Sequence, residues 1–322
     1  MYKDILISKR NFFKSGSSLS YDFRMEQLKK LKSSIRDNED KILKALTIDL
    51  GKSDFESFTA EIAIVYQEIE FAMKNLRKWT KDKKVKTPIY LQPARSYIHS
   101  HPKGVVLIVS PWNYPFQLSM SPLVGAIAAG NCVVIKPSNE SKETARIIGQ
   151  LIENIYSVEY ISVVQGPGSK VVSQLIDNFR FDHIFFTGSA RVGKKIMAQV
   201  AHELIPLTLE LGGKSPLIVH KDADLDLAAK RIVWAKFYNA GQTCVAPDYL
   251  LVNQAIKDDL VERIKYYINL YYGNNPKESR DFGRIINHKN FDRILSLLEN
   301  TNIVEGGQYN REDRYIAPSL VD

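Results

Sequence analysis

The sequence predicts an α/β protein: a doubly wound, mostly parallel sheet, then a second α/β unit, with a ribbon that leaves the main body. Two observations carry the sheet. Strand and helix patterns alternate from residue 105 to residue 211, and several strands are continuous apolar runs, such as Val105-Val106-Leu107-Ile108-Val109 and Cys132-Val133-Val134-Ile135. Such runs mark strands covered on both faces, as in sheets wound with helices on either side. A third observation carries the second unit: the alternation resumes after residue 215.

The elements follow in order. Residues 21–81 have helical spacing, with Met25, Leu28, Leu31 and Ile35, then Ile42, Leu43 and Leu46, then Ile62, Val65, Ile69 and Met73. Residues 87–100, with Pro88 and Pro93, read as the extended ribbon. Strands are then predicted at 105–109, 132–136, 161–165, 183–187 and 207–211, and the helices between them end near Gly130 or span 142–156, 170–177 and 192–201. The second unit reads as strand 216–219, helix 225–239, strand 249–252 and helix 257–272. No internal repeat or low-complexity tract is present.

Composition narrows the classes. The chain has 322 residues, 25% of them charged, and a net charge of +8, an ordinary globular balance with room for two substantial cores. Its two cysteines, Cys132 and Cys244, favour a reducing, cytoplasmic setting over a disulfide framework. Residues 1–20 lack the apolar run of a signal peptide, and no run of about 18 apolar residues suggests a membrane span. The cluster Lys81, Lys83, Lys84 and Lys86 reads as a solvated helix end and linker, because no aromatic-interleaved pattern points to nucleic acid.

Chemistry gathers at a few places. Gly241-Gln242-Thr243-Cys244 follows Glu210-Leu211-Gly212-Gly213-Lys214, pairing a candidate thiol nucleophile with a candidate general base. Cys132 opens a predicted buried strand and reads as inert. Ser110-Pro111-Trp112-Asn113 and Ile135-Lys136-Pro137-Ser138 each leave the carboxyl end of a strand, where open α/β sheets bind ligands. Asn113 has an amide to donate to an oxyanion, against a plain turn-forming role. Lys136 could grip ribose hydroxyls or phosphate, against a snorkelling surface role. Thr187-Gly188-Ser189-Ala190-Arg191-Val192-Gly193-Lys194 is a strand-to-helix junction with Ser189 as N-cap, a place that suits phosphate. Its glycine spacing differs from the ordinary dinucleotide fingerprint. Gln165-Gly166-Pro167-Gly168 imitates that fingerprint but reads as a loop, since Pro167 removes a donor. The six histidines make no metal pattern: His202-Glu203 is half of a zinc protease motif, with Pro206 where the second His would stand.

These segments, with Pro111-Trp112-Asn113-Tyr114-Pro115-Phe116, Thr208-Leu209-Glu210-Leu211-Gly212-Gly213-Lys214-Ser215-Pro216 and Gly241 through Tyr249, resemble the aldehyde dehydrogenases. They stand in that family's order along nearly the whole chain, and the Val245-Ala246-Pro247-Asp248-Tyr249 run is most similar to class 3, the branch that includes fatty aldehyde dehydrogenases. The resemblance implies NAD(P)-dependent oxidation of an aldehyde to a carboxylic acid through a cysteine thiohemiacetal and thioester. Cys244 is the implied nucleophile, Asn113 with the Cys244 backbone N–H the oxyanion holder, and Glu210 the base that activates water. Trp112, Lys136, Ser138, Gly188, Ser189, Ala190, Arg191, Val192, Gly193, Leu211 and Gly212 are the implied cofactor-binding residues, with no metal.

It further implies a cofactor domain over residues 1–208, interrupted by the ribbon at 87–100, and a partial catalytic domain over 209–322, with a homodimer in the full-length form. Many NAD-preferring relatives carry a Glu three residues after the lysine. Asn139 stands there, beside Glu140, and an amide tolerates a 2′-phosphate better than a carboxylate does, so NAD and NADP both stay open.

The family also continues past a position like Asp322, into a Glu-x-Phe-Gly-Pro motif that holds the nicotinamide ribose, a segment that pairs with the partner subunit, and any membrane-anchoring tail. The expectation is a truncated chain, inactive or nearly so by itself, with residues 315–321 forming a strand that lacks a partner. Two other function classes remain open at this point: a non-catalytic nucleotide-binding remnant, and a thiol esterase or acyltransferase.

Overall fold

The computed structural model describes residues 2–322. Its first segment is helical. Helix α1 (Tyr2–Lys14) escaped the sequence reading, and its burial shows why: Leu6 and Lys9 are its fully covered positions, so a lysine interrupts the apolar stripe. Lys9 Nζ donates to the Val158 carbonyl at 2.7 Å, and burial pulls its pKa down to about 7. Helix α2 (Tyr21–Arg36) starts at Ser20, whose hydroxyl accepts from the Phe23 N–H. Helix α3 (Glu39–Leu50) stops at Gly51, which takes φ 65°. A short α4 (Asp54–Ser57), a π-helical turn (Phe58–Ile62) and α5 (Ala63–Trp79) complete the set. Leu28, Leu31, Ile35, Ile42, Leu46, Ile62, Val65 and Ile69 form its buried stripe, with Met25, Leu43 and Met73 at the margin.

Strands β1 (Lys83–Val85) and β2 (Ser96–Ile98) pair antiparallel as the ribbon. It begins earlier than its prolines suggested, so Lys83 and Lys84 lie on a strand rather than in a linker. At its tip Ile89 and Tyr90 are 89% and 81% exposed.

The main sheet alternates as the sequence predicts: β3 (Val105–Val109), α6 (Gln117–Ala129), β4 (Cys132–Lys136), α7 (Lys142–Ile155), β5 (Ile161–Val163), α8 (Gly168–Asn178), β6 (His183–Thr187), α9 (Ala190–Val200) and β7 (Leu207–Glu210). All five strands are parallel, in the order β5-β4-β3-β6-β7. The chain builds outward from β3 to β5, crosses back, and continues from β6 to β7. Strand order therefore reverses between β3 and β6, the place where open sheets of this kind leave a ligand-binding crevice. Every residue of β3 and β4 is buried.

The second unit pairs β8 (Ser215–Val219) in parallel with β9 (Pro247–Val252). Helices α10 (Leu225–Phe237) and α11 (Lys257–Tyr272) build a separate core with Val219, Ile232, Val233, Leu260, Ile264 and Phe282. Helix α12 (His288–Leu295) and the short strands β10 (Ile303–Glu305), β11 (Tyr309–Asn310), β12 (Tyr315–Ile316) and β13 (Leu320–Val321) follow. Here one expectation fails. Residues 315–321 are two strands, not one, and both are paired: β12 with β11 and β13 with β10, each antiparallel. Pro318, which has no N–H to give a ladder, separates them, and Ser319 Oγ turns back to accept from the Gly307 N–H at 3.0 Å.

Leu107 lies at the centre of β3 with no exposed surface. Leu107→Ala is expected to lower stability by about 2–5 kcal/mol, read from the urea midpoint of the far-ultraviolet circular dichroism. A loss under about 1 kcal/mol would show that the middle of the sheet is not closely packed.

Candidate active site

The reversal between β3 and β6 brings two predicted segments to one crevice. Above β3 stand Trp112 and Asn113, both half-buried, and above β6 stand Gly188 and Ser189. Ser189 accepts from the Val192 N–H and starts α9, whose first-turn residues Ala190, Arg191 and Val192 are exposed. Gly188 has no room for a side chain, since a Cβ would lie 2.6 Å from the Phe186 ring. Gly193 is buried in the first turn, where a Cβ would meet Leu211 at 3.1 Å, so α9 is seated on the end of β7. Two hydroxyls at this edge, Ser110 Oγ and Thr187 Oγ1, are buried without a hydrogen-bond partner.

Lys136 is not a surface lysine. It ends β4 at 2% exposure, its carbonyl accepts from the Ser110 N–H, and its Nζ donates to Pro137 O at 2.7 Å. Burial lowers its pKa to about 8, against the pull of Glu140. Ser138 Oγ accepts from the Glu140 N–H. Asn139 accepts from the Gly168 N–H at 3.2 Å and donates to Glu140, which also accepts from Asn287 at 2.8 Å. Gly168, in the segment read as a loop, opens α8 instead.

The cysteine lies on the other side of the crevice. Helix α10 runs into a 3₁₀ turn (Tyr238–Gly241) in which Asn239 and Ala240 take left-handed φ values of 54° and 50°. The chain then turns through Cys244, which is exposed, into β9. Gln242 braces this turn: its side-chain Nε2 donates to Asn239 O and Arg284 O, and its side-chain Oε1 accepts from the Ile286 N–H. The parallel pairing of Ser215 with Pro247 lays the Glu210-to-Lys214 segment beside the cysteine loop. A Cβ on Gly213 would lie 2.5 Å from the Cys244 carbonyl oxygen, and Lys214 pairs with Asp248 at 2.9 Å. Glu210, Leu211 and Gly212 are exposed just upstream.

Asn113 joins the two sides. Its Nδ2 donates at 2.9 Å to the carbonyl of Gln242, two residues before the cysteine. Next to it, Tyr114 and Thr243 share a 2.6 Å hydroxyl contact. The structure thus brings Asn113, Glu210 and Cys244 to adjoining segments, with Lys136 and Ser138 one strand away along the same edge.

Sequence reasoning missed the polar residues beneath this junction. Asn239 donates to both Asn113 O and Gln242 O. The Asn239 N–H is held by Glu56, whose carboxyl burial pushes up to about 7. Lys52 and Glu61 lie deeper, fully buried. A cleft lined by Lys52, Ser53, Arg280, Arg284 and Asp313 shares Lys52 with the junction but includes no residue of the cysteine loop. Among the described residues no group of three or more His, Cys, Asp or Glu could hold a metal ion, and no helix is long and apolar enough to cross a membrane.

Comparison with known proteins agrees with this architecture. The model of the aldehyde dehydrogenase family matches residues 5–322. A 4,4′-diaponeurosporen-aldehyde dehydrogenase of Staphylococcus aureus is 47% identical over 97% of the chain and 68% of its own length. A dimeric, NADP-preferring aldehyde dehydrogenase of Rattus norvegicus is 44% identical over 99% of the chain and 70% of its own. Among solved structures, the substrate-bound state of Staphylococcus aureus AldH superposes with a TM-score of 0.97 at 45% identity, over 100% of this chain and 70% of that one. An indole-3-acetaldehyde dehydrogenase complexed with NAD+ gives 0.88 at 27%, over 99% and 67%. The chain belongs to the aldehyde dehydrogenase family and is an oxidoreductase that acts on aldehydes.

The two thiols differ in setting. Cys132 is buried, with its pKa pushed up to about 12, while Cys244 is exposed. Brief substoichiometric alkylation followed by peptide mass spectrometry is expected to label Cys244 at least tenfold faster, about the ratio that a 1.4 kcal/mol difference in barrier produces. Preferential labelling of Cys132 would overturn the assignment of the nucleophile.

Proposed function

We propose that this member of the aldehyde dehydrogenase family converts an aldehyde to its carboxylic acid with NAD or NADP, through a thioester on Cys244. The observation that carries the reading is the Asn113 amide bonded to the Gln242 carbonyl at 2.9 Å, which sets a fixed donor beside an exposed thiol. Cys244 Sγ attacks the aldehyde carbon to give a thiohemiacetal, whose oxyanion receives the second N–H of Asn113 and the Cys244 backbone N–H. Loss of hydride from that carbon leaves a thioester. Glu210 then takes a proton from water as it attacks the thioester, releasing the carboxylic acid and regenerating the thiolate. Glu210 is exposed at the end of β7, and among the described residues its carboxylate has no partner, so it is free to move between waiting and working positions.

The residues at the sheet edge suit a dinucleotide. Ser110 Oγ and Thr187 Oγ1 are buried and unpaired where β3 and β6 diverge, and polar atoms in that state gain most from a polar ligand. The α9 N-terminus, from Gly188 to Gly193, would face the pyrophosphate. Lys136 and Ser138 would hold the adenosine ribose, with Trp112, Leu211 and Gly212 along the remaining wall. When bound, the cofactor supplies the hydride acceptor. Asn139 adds no charge at the position that faces the 2′ group, and the preference of the rat relative for NADP is in keeping with this. The cofactor is assigned to residues 1–208 and the chemistry to 209–322.

A cytoplasmic setting fits the two free thiols. A homodimer fits the uncovered tip of the ribbon, Ile89 and Tyr90, and the dimeric rat relative. Family membership does not favour a nucleotide-binding remnant or an acyltransferase.

If Glu210 activates water, Glu210→Gln in the complete enzyme is expected to give a burst of NAD(P)H near one per active site, followed by a steady rate depressed about 10²–10⁴-fold. Loss of the burst as well would move Glu210 to an earlier step. Lys136 sets a pH dependence. Its folded pKa of about 8 means that the charged form fades as pH rises through that value, so NADP binding should weaken above pH 8 by up to about tenfold per unit. Isothermal titration at pH 7 and pH 9 tests this, and Lys136→Gln should remove the slope. An equal slope in both proteins would release Lys136 from the role.

A further inference from the structure

Glu61 stands in the π-helical turn (Phe58–Ile62) that interrupts the helical run between α4 and α5. Such a turn is a rare departure from the α form and often marks a functional position. Here it aims a carboxylate that has no exposed surface. Glu61 Oε1 accepts from Lys52 Nζ at 2.5 Å, and Oε2 accepts from the N–H groups of Phe116 at 2.8 Å and Gln117 at 3.2 Å. Those two amides open α6, whose N-cap Phe116 has no side-chain capping bond of its own, so Glu61 caps the helix from another element. Lys52 is equally buried. It donates to the Asn113 carbonyl at 3.1 Å, and its Nζ lies 4.2 Å from the centre of the Tyr114 ring. The pair therefore grips the 113–117 turn at both ends.

Burying two charges costs several kcal/mol per ion, and an apolar pair of similar volume often serves stability as well or better. Both side chains are without exposed surface, so neither meets substrate directly. What they hold is the backbone that carries Asn113. We propose that the Lys52–Glu61 pair positions the oxyanion donor: it fixes the Asn113 turn so that Nδ2 meets the cysteine loop, and it thereby sets the rate of Cys244 acylation. Lys52 and Glu61 are positioning residues acting through Asn113. The inference rests on the reading that Asn113 and Cys244 work together.

The test compares two reactions of the same thiol in the intact chain. Alkylation by iodoacetamide passes through no oxyanion, whereas acylation by p-nitrophenyl acetate does. Lys52→Met leaves Glu61 buried with its two amides but no cation, so the double variant Lys52→Met/Glu61→Gln, which removes both charges, is measured with it. Acylation is expected to fall about 10- to 100-fold, the effect of a donor misplaced by about 1 Å, while alkylation stays within about twofold. Asn113→Ala should fall as far, and adding Lys52→Met to it should cost nothing more, because both act on one donor. Wild-type acylation in the folded double variant would overturn the proposal. So would equal losses in both reactions, which would place the damage in the cysteine loop. Failure of the underlying reading looks different: wild-type protein whose Cys244 the ester does not acylate, or Asn113→Ala that acylates at the wild-type rate.

Discussion

The site depends on one junction, where the loop above β3 meets the loop before β9. Asn113 is bonded in both directions there. Its side chain donates to Gln242 O, and its carbonyl accepts from Lys52 and Asn239. Each bond alone contributes modestly, but together they tie a sheet with one hydrophobic core to a unit with another. The two cores could hinge against each other were they joined only by the linker after β7. Polar ties at the crevice instead hold a donor from one unit to the backbone that carries the thiol of the other. Under the proposed mechanism this is preorganisation: the orienting of groups would be done in folding and not repeated at each turnover.

Much of this was legible in the sequence because its signals are local. Continuous β-branched apolar runs of about five residues within a strand–helix alternation read as covered strands, and β3 and β4 lie on the predicted residues. Glycines that admit no Cβ, such as Gly188 and Gly213, stand where the motifs placed them. What escaped was non-local. Helix α1 hides behind a buried lysine whose partner, Val158 O, is 149 residues away. Glu61, Lys52 and Glu56 drew no reading, because nothing within a few residues of them announces burial. The pairing of β12 and β13 with upstream strands rests on contacts across a turn, and a strand pattern by itself names no partner.

Buried charge recurs under the site, and the cases sort by pairing. Glu61 has a cation and two amides, so both of its oxygens are satisfied. Glu56 has one amide, from Asn239, and Lys52 near enough to act on it only through space. Desolvation then dominates, and its carboxyl rises to about 7. The linkage has a definite sign. A carboxyl whose folded pKa is raised holds its proton longer in the folded chain, so its contribution to stability is present below the usual carboxylate range and is lost as pH rises to about 7. The Asn239 turn, already holding two left-handed residues, thus leans on a group that changes charge near neutrality, while the Asn113 turn leans on one that is paired.

The two cysteines show how an element, rather than a residue type, decides chemistry. Cys132 sits in β4 with its N–H donated to Gly104 O and no exposed surface, where desolvation outweighs the pull of Lys9 and Arg10 and keeps the thiol protonated. Cys244 follows a turn that places its left-handed backbone three to five residues earlier, at Asn239, Ala240 and Gly241, and it emerges uncovered. A nucleophile needs the reverse of what a core residue needs: access for the substrate, and donors held still while the thiol moves. Strands supply the stillness and loops the access. An open sheet with its loops at one edge gives both within a few residues, so the proposed site falls where β3, β6 and β7 end and not within the sheet they form.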